Sequence, residues 1–163
     1  MKRVILHWTA GSYAVSWLDK AHYHFIIDGN GSVCSGRHPV SANEVLRYGK
    51  YAAHTLGCNT GSIGISIAAM AGAIENPFNA GRFPLKKEQF YAAAALTARL
   101  CRQYGIEVTA RTVLSHAEVQ STLGIKQRGK WDIARLPWDL TIKGATQCGD
   151  SFRNLVREHL RTL

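Results

Sequence analysis

The sequence predicts a single α/β (α+β) domain with a central mixed β-sheet flanked by helices. Three observations predict it. Short apolar runs such as RVILH (3–7) and SIGISIA (62–68) have the length and alternation of strands. Residues 85–105 carry apolar side chains at helical spacing. A G-N-G turn inside a β-rich run marks a hairpin, so the sheet cannot be purely parallel. A chain of 163 residues is long enough to bury one core.

The elements follow in order. Residues 2–8, KRVILHW, form a strand that runs into a turn at Gly11. Residues 14–21, AVSWLDKA, have the composition of a short helix. HYHFIID (22–28) and SVCSGR (32–37) flank the glycine turn and pair as the hairpin. In SIGISIA, Ile63, Ile65 and Ile67 alternate with small residues, and Gly64 permits close approach of a neighbour. NPFNAGRFP (76–84) is a loop. Ala93, Leu96, Leu100 and Tyr104 then recur at steps of three and four until Gly105 stops the helix. TVLSHAE (112–118) reads as a short strand ending near His116, and 119–149 as a long loop. Asp150 or Ser151 is expected to cap a last helix with Phe152, Leu155, Val156, Leu160 and Leu163 on its apolar stripe.

Composition narrows the function classes. Lys and Arg outnumber Asp and Glu by 20 to 11, a net charge of +9, which favours an anionic partner such as a nucleic acid, an acidic lipid or a wall polymer. The basic residues are scattered, and no nucleic-acid recognition motif is present. No window approaches the roughly 18–20 apolar residues that span a bilayer. The apolar run after Met1 is too short for a secretory leader, so synthesis in the cytoplasm is expected. Cys34, Cys58, Cys101 and Cys148 show no C-x-x-C spacing and read as free thiols.

Chemistry concentrates in a few residues. His7 and His116 each end an apolar strand, where side chains reach the rim of a sheet. Asp132 offers a carboxylate oxygen. Two imidazoles and one carboxylate leave a fourth position for water, as in catalytic zinc sites. A hydrogen-bonded structural role for either histidine remains open on spacing alone. In GKWD (129–132), Lys130 and Asp132 lie two apart, so an extended backbone turns both to one side. The same spacing also describes a solvated surface pair. Tyr23 is either core or functional, and Trp8 and Trp131 either anchor the core or line a cleft. His22 and His24 are structural or orient a ligand ring. Asn59 and Ser62 shape a turn before the strand.

Four segments together resemble the N-acetylmuramoyl-L-alanine amidase type 2 family, which includes peptidoglycan recognition proteins and T7 lysozyme-like phage endolysins. They are VILHWTAG, HYHFIIDGNGSVCSGR, AAHTLGCNTGSIGISI and LSHAEVQ…GKWD, in the family's order across about residues 2–140. The resemblance implies that fold, with an amidase domain over residues 1–145 and a C-terminal helix at 146–163 packed on it. It implies zinc as cofactor, with His7, His116 and Asp132 as ligands. Tyr23 and Lys130 match catalytic residues of the lysozyme-like branch. His54 matches a histidine beside the substrate cleft, and Trp131 is a candidate to line it. Many members continue K-x-D-P-G, whereas this chain has Asp132-Ile133-Ala134.

The expected function is therefore zinc-dependent hydrolysis of the amide bond between N-acetylmuramic acid and L-alanine in peptidoglycan, as in a phage or prophage endolysin. Peptidoglycan is the expected partner, with no nucleic acid, no membrane insertion and a monomeric enzyme. Release from the cytoplasm would bring it to the wall. Two alternatives stay open: a non-catalytic peptidoglycan-binding module, and an amidase recycling cytosolic muropeptides. Possession of all three candidate ligands favours catalysis, and Tyr23 favours the lytic branch.

Overall fold

The computed structural model describes residues Met1–Leu163. Five strands form one sheet: β1 (Arg3–Trp8), β2 (Phe25–Ile27), β3 (Val33–Ser35), β4 (Ser62–Ile67) and β5 (Val113–Ser115). Their order is β3-β2-β4-β1-β5. β1 runs parallel to β4 and β5, and β2 parallel to β4, while β3 alone is antiparallel as the hairpin partner of β2. The sheet is thus mixed, as the glycine turn requires. Four helices complete the domain: α1 (Trp17–His22), α2 (Lys87–Tyr104), α3 (His116–Leu123) and α4 (Ala145–Arg161). None is long and apolar enough to cross a membrane.

Strand alternation divides the side chains between two faces. Val4, Leu6, Trp8, Ile63, Ile65, Ile67 and Val113 join the main core, with Phe90, Ala93, Leu96 and Leu100 of α2 and Phe152 and Val156 of α4. The opposite face carries Ile5 and Leu114 against Cys58 and Val119 of α3. In register with Ile5 and Leu114 on that face, His7 lies opposite Ser66. The amphipathic period of α2 fits its place, and Gly105 ends it in the left-handed region at φ 64.

The structure departs from the sequence reading in three places. The first hairpin strand is shorter than residues 22–28, because His22 ends α1 and Tyr23 caps it, leaving β2 to begin at Phe25. The long loop expected from residue 119 is not continuous. His116 is the first residue of α3, which occupies the start of that stretch, because Glu118 accepts a hydrogen bond from Ser115 N at 2.8 Å and so holds the helix start. The last helix begins at Ala145, not at Asp150 or Ser151. Burial of Cys148 and Gly149 extends it backwards, and Asp150 instead pairs with Arg153 at 2.8 Å within the helix. Arg153 is also buried against Glu118 at 2.9 Å and donates to Val113 O. Gly149 makes room for that pair: a Cβ there would fall inside the Glu118 carboxylate.

Candidate metal centre

Parallel pairing brings the ends of β1 and β5 to one edge of the sheet. His7 is the penultimate residue of β1, and His116 follows β5 directly. Asp132 arrives from the loop after α3, where its carbonyl accepts Ala117 N at 2.6 Å. That bond ties the carboxylate's segment to the start of α3. Three buried donor atoms converge: His7 Nδ1 and His116 Nδ1 are 3.0 Å apart, and Asp132 Oδ2 lies 3.4 and 3.5 Å from them. A tetrahedral zinc site with bonds of about 2.0–2.1 Å has edges of about 3.3 Å. The donor set and its spacing therefore fit such an ion, and the three residues could hold a metal.

The outer nitrogens of both rings are engaged. His116 Nε2 lies 2.7 Å from Gln127 Oε1. His7 Nε2 lies 3.1 Å from His54 Nδ1 and 3.3 Å from Thr55 Oγ1. His54 Nε2 in turn faces Ser62 O at 3.2 Å, and a carbonyl can only accept. His54 therefore presents a lone pair at Nδ1, which can accept a hydrogen bond from His7 Nε2 and leave the lone pair of His7 Nδ1 free. Gly64 makes this packing possible, since a Cβ there would meet the His54 ring at 2.5 Å. Asn59 fixes the segment by accepting His54 N and Thr55 N through its side chain. His22 and His24 take no part: His22 bonds Ala53 O, and His24 spans Asn43 Oδ1 and Gly64 N.

Burial sets the charge states. It pushes the His7 imidazole down to about 4, against the raising effect of its Asp132 contact. It pushes His54 well below the usual histidine range, helped by His7 and His24. Burial opposes ionisation of Asp132, but its close contacts with the His116 and His7 rings outweigh it and hold the carboxyl below its ordinary value. A neutral His7 imidazole beside an ionised Asp132 leaves both with electron pairs to donate.

The centre opens on a cleft of about 710 Å³. Tyr23, His54, Lys130 and Trp131 line it with His116 and Asp132. Tyr23 caps the C-terminus of α1, and its ring lies 5.2 Å from that of His7. Burial and the Asp132 charge both raise its pKa, so the hydroxyl stays protonated. Lys130 is exposed at the rim with no ion-pair partner. Trp131 is half-buried and packs edge-on against Trp8 at 4.7 Å between ring centroids. His54 lines the cleft yet is only 7% exposed, so its ring is turned mainly to His7.

A family model described as N-acetylmuramoyl-L-alanine amidase matches residues 1–133. The chain belongs to that family. No curated protein sequence matches it. Among solved structures it is similar to the Staphylococcus aureus hydrolase AmiA, crystallised with its ligand, at 14% identity and TM-score 0.56, over 98% of this chain and 72% of that one. It is also similar to an endolysin of a Thermus scotoductus bacteriophage at 17% identity and TM-score 0.49, over 74% and 73% of the two chains. The Escherichia coli amidase AmiD, in complex with a muropeptide substrate, aligns at 19% identity and TM-score 0.49 over 72% of this chain and 48% of that one. Gln127 and Thr55, which contact His116 and His7, are the residues around the candidate centre that sequence reasoning missed. Gln127 sits in the same loop as Lys130 and Asp132, and that proximity was the one available signal.

Proposed function

We propose that the protein is a zinc-dependent N-acetylmuramoyl-L-alanine amidase that cleaves the lactyl–alanine amide of peptidoglycan, acting as a phage or prophage endolysin. The convergence of His7 Nδ1, His116 Nδ1 and Asp132 Oδ2 carries this reading. These three residues would hold the ion. When bound, zinc supplies a water with a pKa near 7 and a Lewis acid for the scissile carbonyl.

The chain's other groups act around that reaction. The Lys130 ammonium meets the negative charge that develops on the carbonyl oxygen as the carbon becomes tetrahedral. Tyr23, protonated throughout the neutral range, donates a hydrogen bond from its hydroxyl to the reacting centre and keeps that proton. Asp132 balances charge and fixes the ligand geometry. Trp131 and Trp8 offer an apolar wall against which a sugar face or peptide side chain can rest. The net positive charge favours approach to an anionic wall.

Mass spectrometry of digested peptidoglycan tests the proposal. Intact stem peptides released from glycan strands, with activity lost on chelation and restored by zinc, are expected. Sugar cleavage, or turnover indifferent to chelator, would overturn it. Comparing intact sacculi with soluble anhydro-muropeptides separates a lytic from a recycling enzyme.

A further inference from the structure

Gln127 is buried beside His116, and its neighbours decide which way its amide points. Leu56 O lies 2.6 Å from Nε2, and a carbonyl oxygen only accepts. The Gln127 NH₂ must therefore face Leu56, and Oε1 must face the other way. Oε1 lies 2.7 Å from His116 Nε2. An amide oxygen also only accepts, so His116 Nε2 carries the hydrogen and the neutral ring keeps its lone pair on Nδ1. That is the atom aimed at His7 and Asp132. The Gln127 backbone is fixed as well, since its N–H donates to Gln120 Oε1 on α3 at 2.9 Å.

We propose that Gln127 is a positioning residue that selects the metal-binding tautomer of His116 and links that ligand to the cleft wall at Leu56. The inference rests on the reading of His116 as a zinc ligand. One planar amide does both jobs: its oxygen orients the imidazole, and its nitrogen holds the 54–59 segment. Leu56 is exposed on the cleft lining, so a substrate group resting there shares a hydrogen-bonded path with the metal.

Two variants separate positioning from mere packing. Gln127→Glu keeps an acceptor for His116 but loses the donor to Leu56. Gln127→Leu loses both. Zinc dissociation constants from chelator competition are expected to rise about 10–100-fold for Gln127→Leu, the usual loss when such a partner is removed, and far less for Gln127→Glu. Unchanged affinity in Gln127→Leu, or equal weakening in both variants, would overturn the proposal. Should Gln127→Leu not fold, imidazole ¹⁵N shifts of the wild-type protein carry the test. Protonation of His116 at Nε2 supports it, and protonation at Nδ1 refutes it. A wild-type protein that takes up no zinc would instead reject the metal reading, while the nitrogen shifts still report on Gln127.

Discussion

Lys130 and His24 show how differently single side chains are placed in this domain. Lys130 is exposed, so removing it carries little folding cost. If its ammonium stabilises charge only in the transition state, Lys130→Ala lowers kcat by about 10²–10³-fold and leaves KM nearly unchanged. A variant that loses KM alone would make Lys130 a substrate-binding residue. His24 is buried, with Nδ1 accepting Gly64 N and Nε2 facing Asn43 Oδ1. Burial pushes its pKa down to about 4, against the raising effect of Asn43. The unfolded chain therefore binds the proton first. Stability is complete above the ordinary histidine pKa of about 6.5 and falls as pH drops towards 4, by up to about 1.4 kcal/mol per pH unit for each such histidine. Urea midpoints are expected to decrease from pH 7 to pH 5, and His24→Gln to flatten that slope. The roles of such residues differ in legibility. A histidine at the end of RVILH announces a rim position, because strand alternation is local. The orientation of His54 or Gln127 depends on carbonyls from other loops, and no local pattern encodes it.

At the scale of elements, α3 and α4 are where local signals and tertiary structure diverge. The start of α3 was present in the sequence as Ser115 followed three residues later by Glu118, a spacing that marks helix beginnings. The preceding β-branched run obscured it. The start of α4 carried no such mark, since Gly144 offers no capping side chain. Tertiary burial decides that boundary. The two helices are joined by the Arg153–Glu118 pair, with Arg153 2% and Glu118 3% exposed. Breaking a buried pair on one side leaves the other charge uncompensated. Arg153→Met is expected to cost about 3–5 kcal/mol in chemical denaturation, and Arg153→Met with Glu118→Gln markedly less than the sum of the single changes.

For the whole molecule, the sheet order explains why widely separated residues meet. With β1 in the middle of β4 and β5, and all three parallel, every chain segment leaving them emerges at one edge. Alternation, the glycine turn and the long amphipathic helix were legible because each is a pattern confined to neighbouring residues. The strand order was not, because it depends on which apolar faces pair at a distance. A metal bound only by the folded arrangement stabilises it by mass action. At free zinc about 100 times the dissociation constant this amounts to about 2.7 kcal/mol, so chelation is expected to lower the melting temperature of the wild-type protein. No change in melting on chelation, with a protein shown to contain zinc, would mean that the unfolded chain holds the ion equally well.

The missing side chain at Gly149 has a further consequence. Glu118 cannot swing aside to admit a methyl group, because Ser115 N and Arg153 hold its carboxylate from both ends. A larger residue at 149 would shift α4 like a wedge and disturb the turn that leads into His116. The seam between the last helix and α3 thus makes the candidate metal centre vulnerable to a substitution remote from the cleft, and Gly149→Ala is expected to weaken zinc uptake in chelator competition while the protein still expresses.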